Sequence, residues 1–278
     1  MSYDPTIYRG AATHYTRGRP PYSTQLTAVL ERVLDLDGSG RLLDVGCGPG
    51  VLALELASRF AEAVGVDPDA DMLAEAARRA EAAGVRNVRW LRALAEDLPE
   101  LDLGTFRLVT FGQSFQWTRR EEVAEHVYDI LEPGGAVALV VHTVEGRPVP
   151  DDPGAPPIPH DVVLEILEQY LGSSLRAGQG YRSPPPDRYE DALARTRFGV
   201  PQVHFAPGRP DLIQNVDGVL SNYHSMSFCA PHLFGDRLDD FDHEVRAALT
   251  ARSERGLFWD WPGDTEILIA RKPGSRPS

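Results

Sequence analysis

Short apolar runs separated by amphipathic stretches recur through the first half of the chain. Positions 42–46, 63–67, 87–92, 106–112 and 136–142 read as strands, and Leu42, Leu43 and Val45 suit one covered on both faces. Between them, 51–60, 70–83 and 119–131 have the composition of helices that bury one side. Strand and helix alternating in this way predict an α/β fold with a parallel, doubly wound sheet, whose ligands bind at the carboxyl ends of the strands. A further helix is predicted over 23–36, with Ser23 as its cap.

The pattern breaks after His142. Pro148, Pro150, Pro153, Pro156, Pro157 and Pro159 precede a short helix at 161–171, and Pro184-Pro185-Pro186 follows it; proline this dense marks an insertion, not sheet. Strands resume at 202–205 and 266–271, as a sixth and a seventh, with helices expected at 211–223 and 236–252. The chain is thus expected to divide into an N-terminal lid and helix (1–39), a ligand-binding core (40–142), a substrate cap (143–190), and a C-terminal part of the sheet with a helical insertion (191–278).

Composition narrows the class of function. The 278 residues are 42% apolar and 25% charged, ordinary values for a globular protein, and 28 Lys and Arg against 41 Asp and Glu give a formal charge of −13. Such a surface repels phosphate backbones, and no basic stripe with interleaved aromatics appears, so nucleic acid is not the expected partner. Arg78-Arg79 and Arg119-Arg120 read as solvated helix faces. No stretch reaches the roughly 18 apolar residues of a membrane span, and residues 1–8 lack the features of a leader, so a cytoplasmic location is expected. Two cysteines, Cys47 and Cys229, suit neither a disulfide framework nor a metal site, and no metal is expected.

The chemistry concentrates in Leu42-Leu43-Asp44-Val45-Gly46-Cys47-Gly48-Pro49-Gly50, a buried strand entering a glycine turn with a helix after it. Glycines at alternate positions allow positive φ and let backbone approach a ligand. The dinucleotide fingerprint spaces its third glycine one residue later, where this chain has Val51, which disfavours a pyrophosphate and hence a dinucleotide oxidoreductase. Asp67 ends the second predicted strand 17 residues past Gly50, near the roughly 20 expected of a carboxylate that binds ribose hydroxyls. The Cys47 thiol reads as packing.

These residues resemble the class I S-adenosylmethionine-dependent methyltransferases. The first motif of that family is matched by Leu42 to Gly50 and its acidic second-strand end by Val66-Asp67-Pro68. The resemblance continues through Ala93-Leu94-Ala95-Glu96-Asp97-Leu98-Pro99, Phe106-Arg107-Leu108-Val109-Thr110-Phe111 and Leu131-Glu132-Pro133-Gly134-Gly135, and covers about Tyr8 to His142. It implies a Rossmann-like, doubly wound, seven-stranded and mostly parallel sheet with a cap inserted after the fifth strand. It also implies S-adenosylmethionine as cofactor, with S-adenosylhomocysteine as product. The contacts it implies are Tyr15, Arg19, Asp44, Gly46, Cys47, Gly48, Gly50, Asp67, Pro68, Met72, Ala95, Glu96, Asp97, Phe111, Gln113 and Trp117. Of these, an acidic residue of the 93–99 motif, Glu96 or Asp97, would meet the adenine amine, Arg19 the cofactor's carboxylate, and the Tyr15 ring the sulfonium.

Methyl transfer needs a nucleophile placed within about 3 to 3.5 Å of the activated carbon; a base is optional. The catalytic candidates are Tyr15, Gln116 and His142. Relatives usually carry Ser-Phe-His-Trp where this chain has Ser114-Phe115-Gln116-Trp117, and glutamine takes no proton at neutral pH. Either that histidine was never a base, or the acid-base step moved, or the reaction changed. The first expectation is methyl transfer to an oxygen or nitrogen of a small metabolite. The alternatives are a non-methylating cyclisation, elimination or rearrangement on the same fold, and a non-catalytic cofactor-binding subunit of a complex, with an oligomer also open. His14, Tyr181, Arg182, Tyr223, His224 and Trp259 are weaker pocket candidates. Tyr223 and His224 suit a packed helix face, and Trp259 and Trp261 suit closure of the core.

Overall fold

The structure, a computed structural model, describes residues 4, 6–143, 152–174, 176–177, 180–181, 187–260 and 263–274. Its strands are β1 Arg41–Val45, β2 Glu62–Asp67, β3 Val88–Arg92, β4 Phe106–Gly112, β5 Leu131–His142, β6 Arg176–Ala177, β7 Gly180–Tyr181, β8 Gln202–Ala206, β9 Ile213–Asn215, β10 Leu257–Trp259 and β11 Thr265–Arg271. Seven of them form one sheet in the order β3-β2-β1-β4-β5-β11-β8, parallel throughout except for β11, which runs antiparallel to both neighbours. The expected mostly parallel seven-stranded sheet is present. Order reverses between β1 and β4, which places the ligand crevice at their carboxyl ends.

Alternate residues of each strand face opposite layers. Leu43, Val45, Val64, Val66, Val109, Phe111, Val137 and Leu139 pack with Val123, Ala124 and Val127 of helix α5, Arg120–Ile130. Leu42, Leu108, Ala138, Val140, Ile267 and Ile269 pack on the other face against α2, Leu26–Leu34, and α3, Val51–Leu56. Both faces are therefore buried, as the apolar runs required.

A third core is all helical. Helices α6 (His160–Leu171), α8 (Val216–His224) and α9 (Leu238–Thr250) bury Val163, Leu167, Val219, Leu220, Phe241 and Val245 together with Phe258 of β10. The helix expected inside the 143–190 cap thus shares its core with helices from the C-terminal third. Pro148, Pro150 and Pro184-Pro185-Pro186 lie outside the described residues.

Several predicted boundaries shift for local reasons. Ser23 does not cap α2, which has Gln25 at its N-cap. Instead Ser23 is buried, its hydroxyl donating to the Pro207 carbonyl (2.5 Å) and accepting from the Gln25 amide (3.1 Å), while its own amide donates to Thr265 Oγ1 (2.7 Å). The helix expected from 211 starts at Val216, because Ile213–Asn215 pairs with β10 and the Asn215 side chain caps α8 by accepting from the Gly218 amide. Leu131 leaves α5 to open β5, whose register shifts between Phe106 and Leu108 opposite the Pro133-Gly134-Gly135 corner. Lys272 Nζ closes that helix end by donating to the carbonyls of Tyr128 (3.0 Å) and Leu131 (2.7 Å).

The N-terminal lead is pinned to the helical layer. Helix α1, Ala12–Gly18, crosses α8 so closely that a methyl group on Gly18 would overlap the backbone of Ser221 and Asn222. Gly18→Ala is therefore expected to cost about 1–3 kcal/mol of stability, the range for overpacking a tight contact; urea unfolding of the two proteins at equal m-value measures it.

Candidate active site

The glycine turn is held by its own surroundings. Gly46, Gly48 and Gly50 all have positive φ (64°, 50° and 73°), as the alternate spacing required. The amides of Gly46 and Cys47 both donate to the Val66 carbonyl (2.8 and 3.0 Å), that of Gly48 to Asp67 Oδ2 (2.8 Å), and that of Gly50 to the Cys47 carbonyl (2.9 Å). A turn whose amides are spent on its scaffold keeps few for a phosphate. What it presents is bare backbone flanked by carboxylate.

Asp67 carries that negative charge. Oδ1 accepts from the Asp69 amide (2.9 Å), and Asp69 in turn caps helix α4, Ala70–Ala82, by accepting from the amides of Asp71 and Met72. Burial raises the Asp67 pKa to about 6, against the pull of those amides. Asp44 lies deeper: it accepts from Thr110 Oγ1 (2.7 Å) and from the Ala53 amide in the first turn of α3 (3.2 Å), and burial lifts its pKa to about 7. Ser114 laces β4 to β1, donating to the Val45 carbonyl at 2.6 Å, with its Cβ where a side chain on Gly46 would lie. Gln113 follows with φ of +53°, a backbone conformation that costs a residue with a side chain on the order of 1–3 kcal/mol and clusters at functional sites.

Two clefts open over these strand ends. The first encloses about 700 Å3, part of it open to solvent; it runs from Gly46, Gly48 and Asp67 past Pro68, Met72, Leu94, Ala95 and Glu96 to Trp117, under Tyr8 and Tyr15. Tyr8 meets Trp117 edge to face at 6.1 Å, and burial raises its pKa to about 12, so it stays a neutral phenol. The second cleft, about 550 Å3, is lined by Tyr15, Thr16, Arg19, Pro20, Pro21, Tyr22, Val51, Arg79, Gln113 and His142. His142 stacks on Tyr22 with ring centroids 4.9 Å apart. Tyr15 and Gln113 line both clefts.

The sequence candidates therefore separate. Tyr15, Gly46, Gly48, Asp67, Pro68, Met72, Ala95, Glu96, Gln113 and Trp117 line the first cleft, and Arg19 and His142 the second. Asp44, Cys47, Gly50 and Phe111 line neither; they build the floor. Phe111 is core, the Cys47 thiol sits against Gly65 with its pKa raised by burial, and Gly50 backs onto Trp90 and Ala76. Asp97 turns away because its carboxylate accepts from the Leu94 amide and caps the short turn at 95–100; Glu96, whose Oε1 accepts from the Arg119 amide, is the acid at the cleft wall.

Gln116 also lies outside both clefts. Its side-chain amide donates to the Gln113 carbonyl (2.6 Å) and accepts from the Tyr189 hydroxyl (2.6 Å), a strut between the β4 end and helix α7, Tyr189–Ala194. Arg79, read as a solvated helix residue, instead reaches the second cleft and donates to the Pro49 carbonyl (2.6 Å). Tyr8, Leu94, Ser114, Thr118, Tyr22 and Val51 line the clefts without having been named as site candidates; Leu94 and Ser114 lie inside quoted motifs, Thr118 and Val51 follow motif residues, and Tyr8 and Tyr22 belong to the N-terminal lid.

The weaker candidates pack elsewhere. Buried His224 bridges Asp242 (2.7 Å) and the Cys229 carbonyl (3.0 Å), and His14 lies 4.9 Å from it, its pKa lowered first by burial and then by that neighbour. The Tyr223 hydroxyl meets His160 Nδ1 (2.8 Å), and Trp259 Nε1 donates to the Pro210 carbonyl. Arg182, Trp261 and the Tyr181 side chain lie outside the described residues. Among the described residues no cluster of His, Cys, Asp or Glu could hold a metal, and no helix is long and apolar enough to cross a membrane.

A buried carboxylate at the end of β2, a cleft running past Pro68, Met72, Leu94 and Ala95, and a glycine turn whose amides are spent on its scaffold meet at the carboxyl ends of a doubly wound α/β sheet. Residues 42–135 match the methyltransferase domain family. Over 172 residues the chain is 34% identical to the demethylmenaquinone methyltransferase of Thermus thermophilus, covering 58% of this chain and 74% of that one. The chain belongs to the S-adenosylmethionine-dependent methyltransferase family. Among solved structures, the YcgJ protein of Bacillus subtilis superposes with a TM-score of 0.51 at 18% identity, over 90% of this chain and 98% of that one. The [4+2]-cyclase SpnF does so with a TM-score of 0.52 at 19% identity, over 98% and 94%; at these identities the likeness is one of fold.

The first cleft fits the family's cofactor, and two expectations follow from it. Asp67→Ala should weaken S-adenosylhomocysteine binding about 10- to 100-fold, the worth of one or two hydrogen bonds to a charged group, as measured by calorimetry. Affinity for S-adenosylmethionine should also rise between about pH 5 and pH 7, as Asp67 ionises through a pKa of about 6 and attracts a cationic ligand. S-adenosylhomocysteine, without the sulfonium charge, should show a shallower rise in the same titration.

Proposed function

We propose that this enzyme transfers a methyl group from S-adenosylmethionine to an oxygen or nitrogen of a small metabolite seated in the second cleft, in a biosynthetic role. The observation that carries the reading is the junction of the clefts at Tyr15 and Gln113, where a ligand in each would meet. The cofactor, when bound, supplies a methyl group activated by the sulfonium. The protein's part is position: the Tyr15 ring offers its face to the cation, and Arg19 a forked donor to the cofactor's carboxylate. The strained Gln113 backbone holds the strand end between them. His142, on the same wall, is the group placed to accept the acceptor's proton.

The relative named for demethylmenaquinone supports a small-molecule acceptor. Residues of the N-terminal lead from Tyr8 to Tyr22 line the two clefts and cover them in this reading. The fold likeness to a cyclase keeps a non-methylating reaction as the second reading. Incubation with candidate acceptors and methyl-labelled S-adenosylmethionine separates the two. Label in the product is the expected outcome; product that forms without label, with the cofactor unconsumed, would establish the second reading.

A further inference from the structure

The second cleft runs against the charge of the chain. Acidic residues outnumber basic ones 41 to 28 overall, yet the described lining of this cleft holds two guanidinium groups, Arg19 and Arg79, and no carboxylate. Elsewhere Arg41, Arg78, Arg89, Arg120, Arg195 and Arg197 each meet a carboxylate within ion-pair distance. No carboxylate of a described residue forms an ion pair with Arg19 or Arg79, although Glu75 attracts Arg79 at longer range. Glu75, one helical turn before Arg79, is engaged by Arg78 through two hydrogen bonds of 2.7 Å.

The two arginines are also held by neutral partners only. Arg19 donates through Nη2 to the Ser225 carbonyl (3.1 Å), and its Nε is buried without a partner. Arg79 Nη1 donates to the Pro49 carbonyl, which ties the guanidinium to the glycine turn at the cleft wall. Both guanidinium groups are half-buried and line a cleft that holds no carboxylate, an arrangement that suits an oxyanion. The cofactor carries one carboxylate, and one fork satisfies it. Arg19 projects from the end of the lead helix; Arg79 projects from α4, on the far side of the glycine turn in sequence.

We propose that Arg79 anchors a second oxyanion, a carboxylate or phosphate borne by the methyl acceptor, so that the substrate is an anionic small molecule. The proposal rests on the methyl-transfer reading of the same cleft. The anchoring group takes no part in bond making: the methyl group passes from sulfur to the acceptor's oxygen or nitrogen, which gives up its proton. Tyr22 and His142, stacked on the same lining, offer the acceptor's body an aromatic wall.

The test titrates the full chain, saturated with S-adenosylhomocysteine, with 4-hydroxybenzoate, phenyl phosphate and the neutral 4-hydroxybenzamide. The wild type should bind at least one of the two anions about tenfold more tightly than the amide, and the tighter of the two distinguishes carboxylate from phosphate. Arg79→Gln should abolish that preference while its S-adenosylhomocysteine affinity stays within about twofold; Arg79→Lys, which keeps the charge but not the fork, should retain part of it. No preference for either anion, or an Arg79→Gln protein that loses S-adenosylhomocysteine in equal measure, would overturn the proposal. Failure of the wild type to bind S-adenosylhomocysteine at all would instead strike the methyl-transfer reading on which it rests.

Discussion

The hydrogen bond from the Gly48 amide to the Asp67 carboxylate is the contact on which the site depends. It ties the middle of the glycine turn to the end of the neighbouring strand, and with the Val66 carbonyl it consumes the amides that a phosphate-binding loop would leave open. The same carboxylate, through Asp69, sets the start of α4. One side chain thus fixes the turn, orients a helix and faces the ligand. A buried carboxylate in place of free donors disfavours phosphate and favours hydroxyl groups and positive charge, which accords with the cofactor of the family.

Charge then divides the two clefts. Asp67 and Glu96 give the first cleft its carboxyl groups, while Arg19 and Arg79 give the second its guanidinium groups. A cofactor with a cationic sulfur beside an anionic carboxylate matches that division in order, and Gln113 stands where the sign changes. Holding an irregular backbone at that point costs energy, which the rest of the sheet supplies: the Gln113 amide donates to the Val140 carbonyl, and Ser114 is bound to Val45.

Much of this was legible in the sequence because glycine spacing and strand-end acids are local signals. The alternate glycines gave the positive φ values, and Asp67 followed from its place at the end of an apolar run. Polar residues were not legible wherever their partners lie far along the chain or in a turn type that no pattern announces. Gln116 looked like a lost base because its partner, Tyr189, is 73 positions away. Asp97 and Glu96 could not be told apart until the short turn at 95–100 showed which of them caps it. Arg79 resembled any helix-surface arginine, since the glycine turn that draws it inward is distant in sequence.

The position of β11 between β5 and β8 has a mechanical consequence. Within the sheet β8 pairs only with β11, and β11 also supplies Thr265, whose hydroxyl accepts from the Ser23 amide. The edge strand and the N-terminal lead that reaches both clefts therefore share one attachment, and loosening the start of β11 would release both.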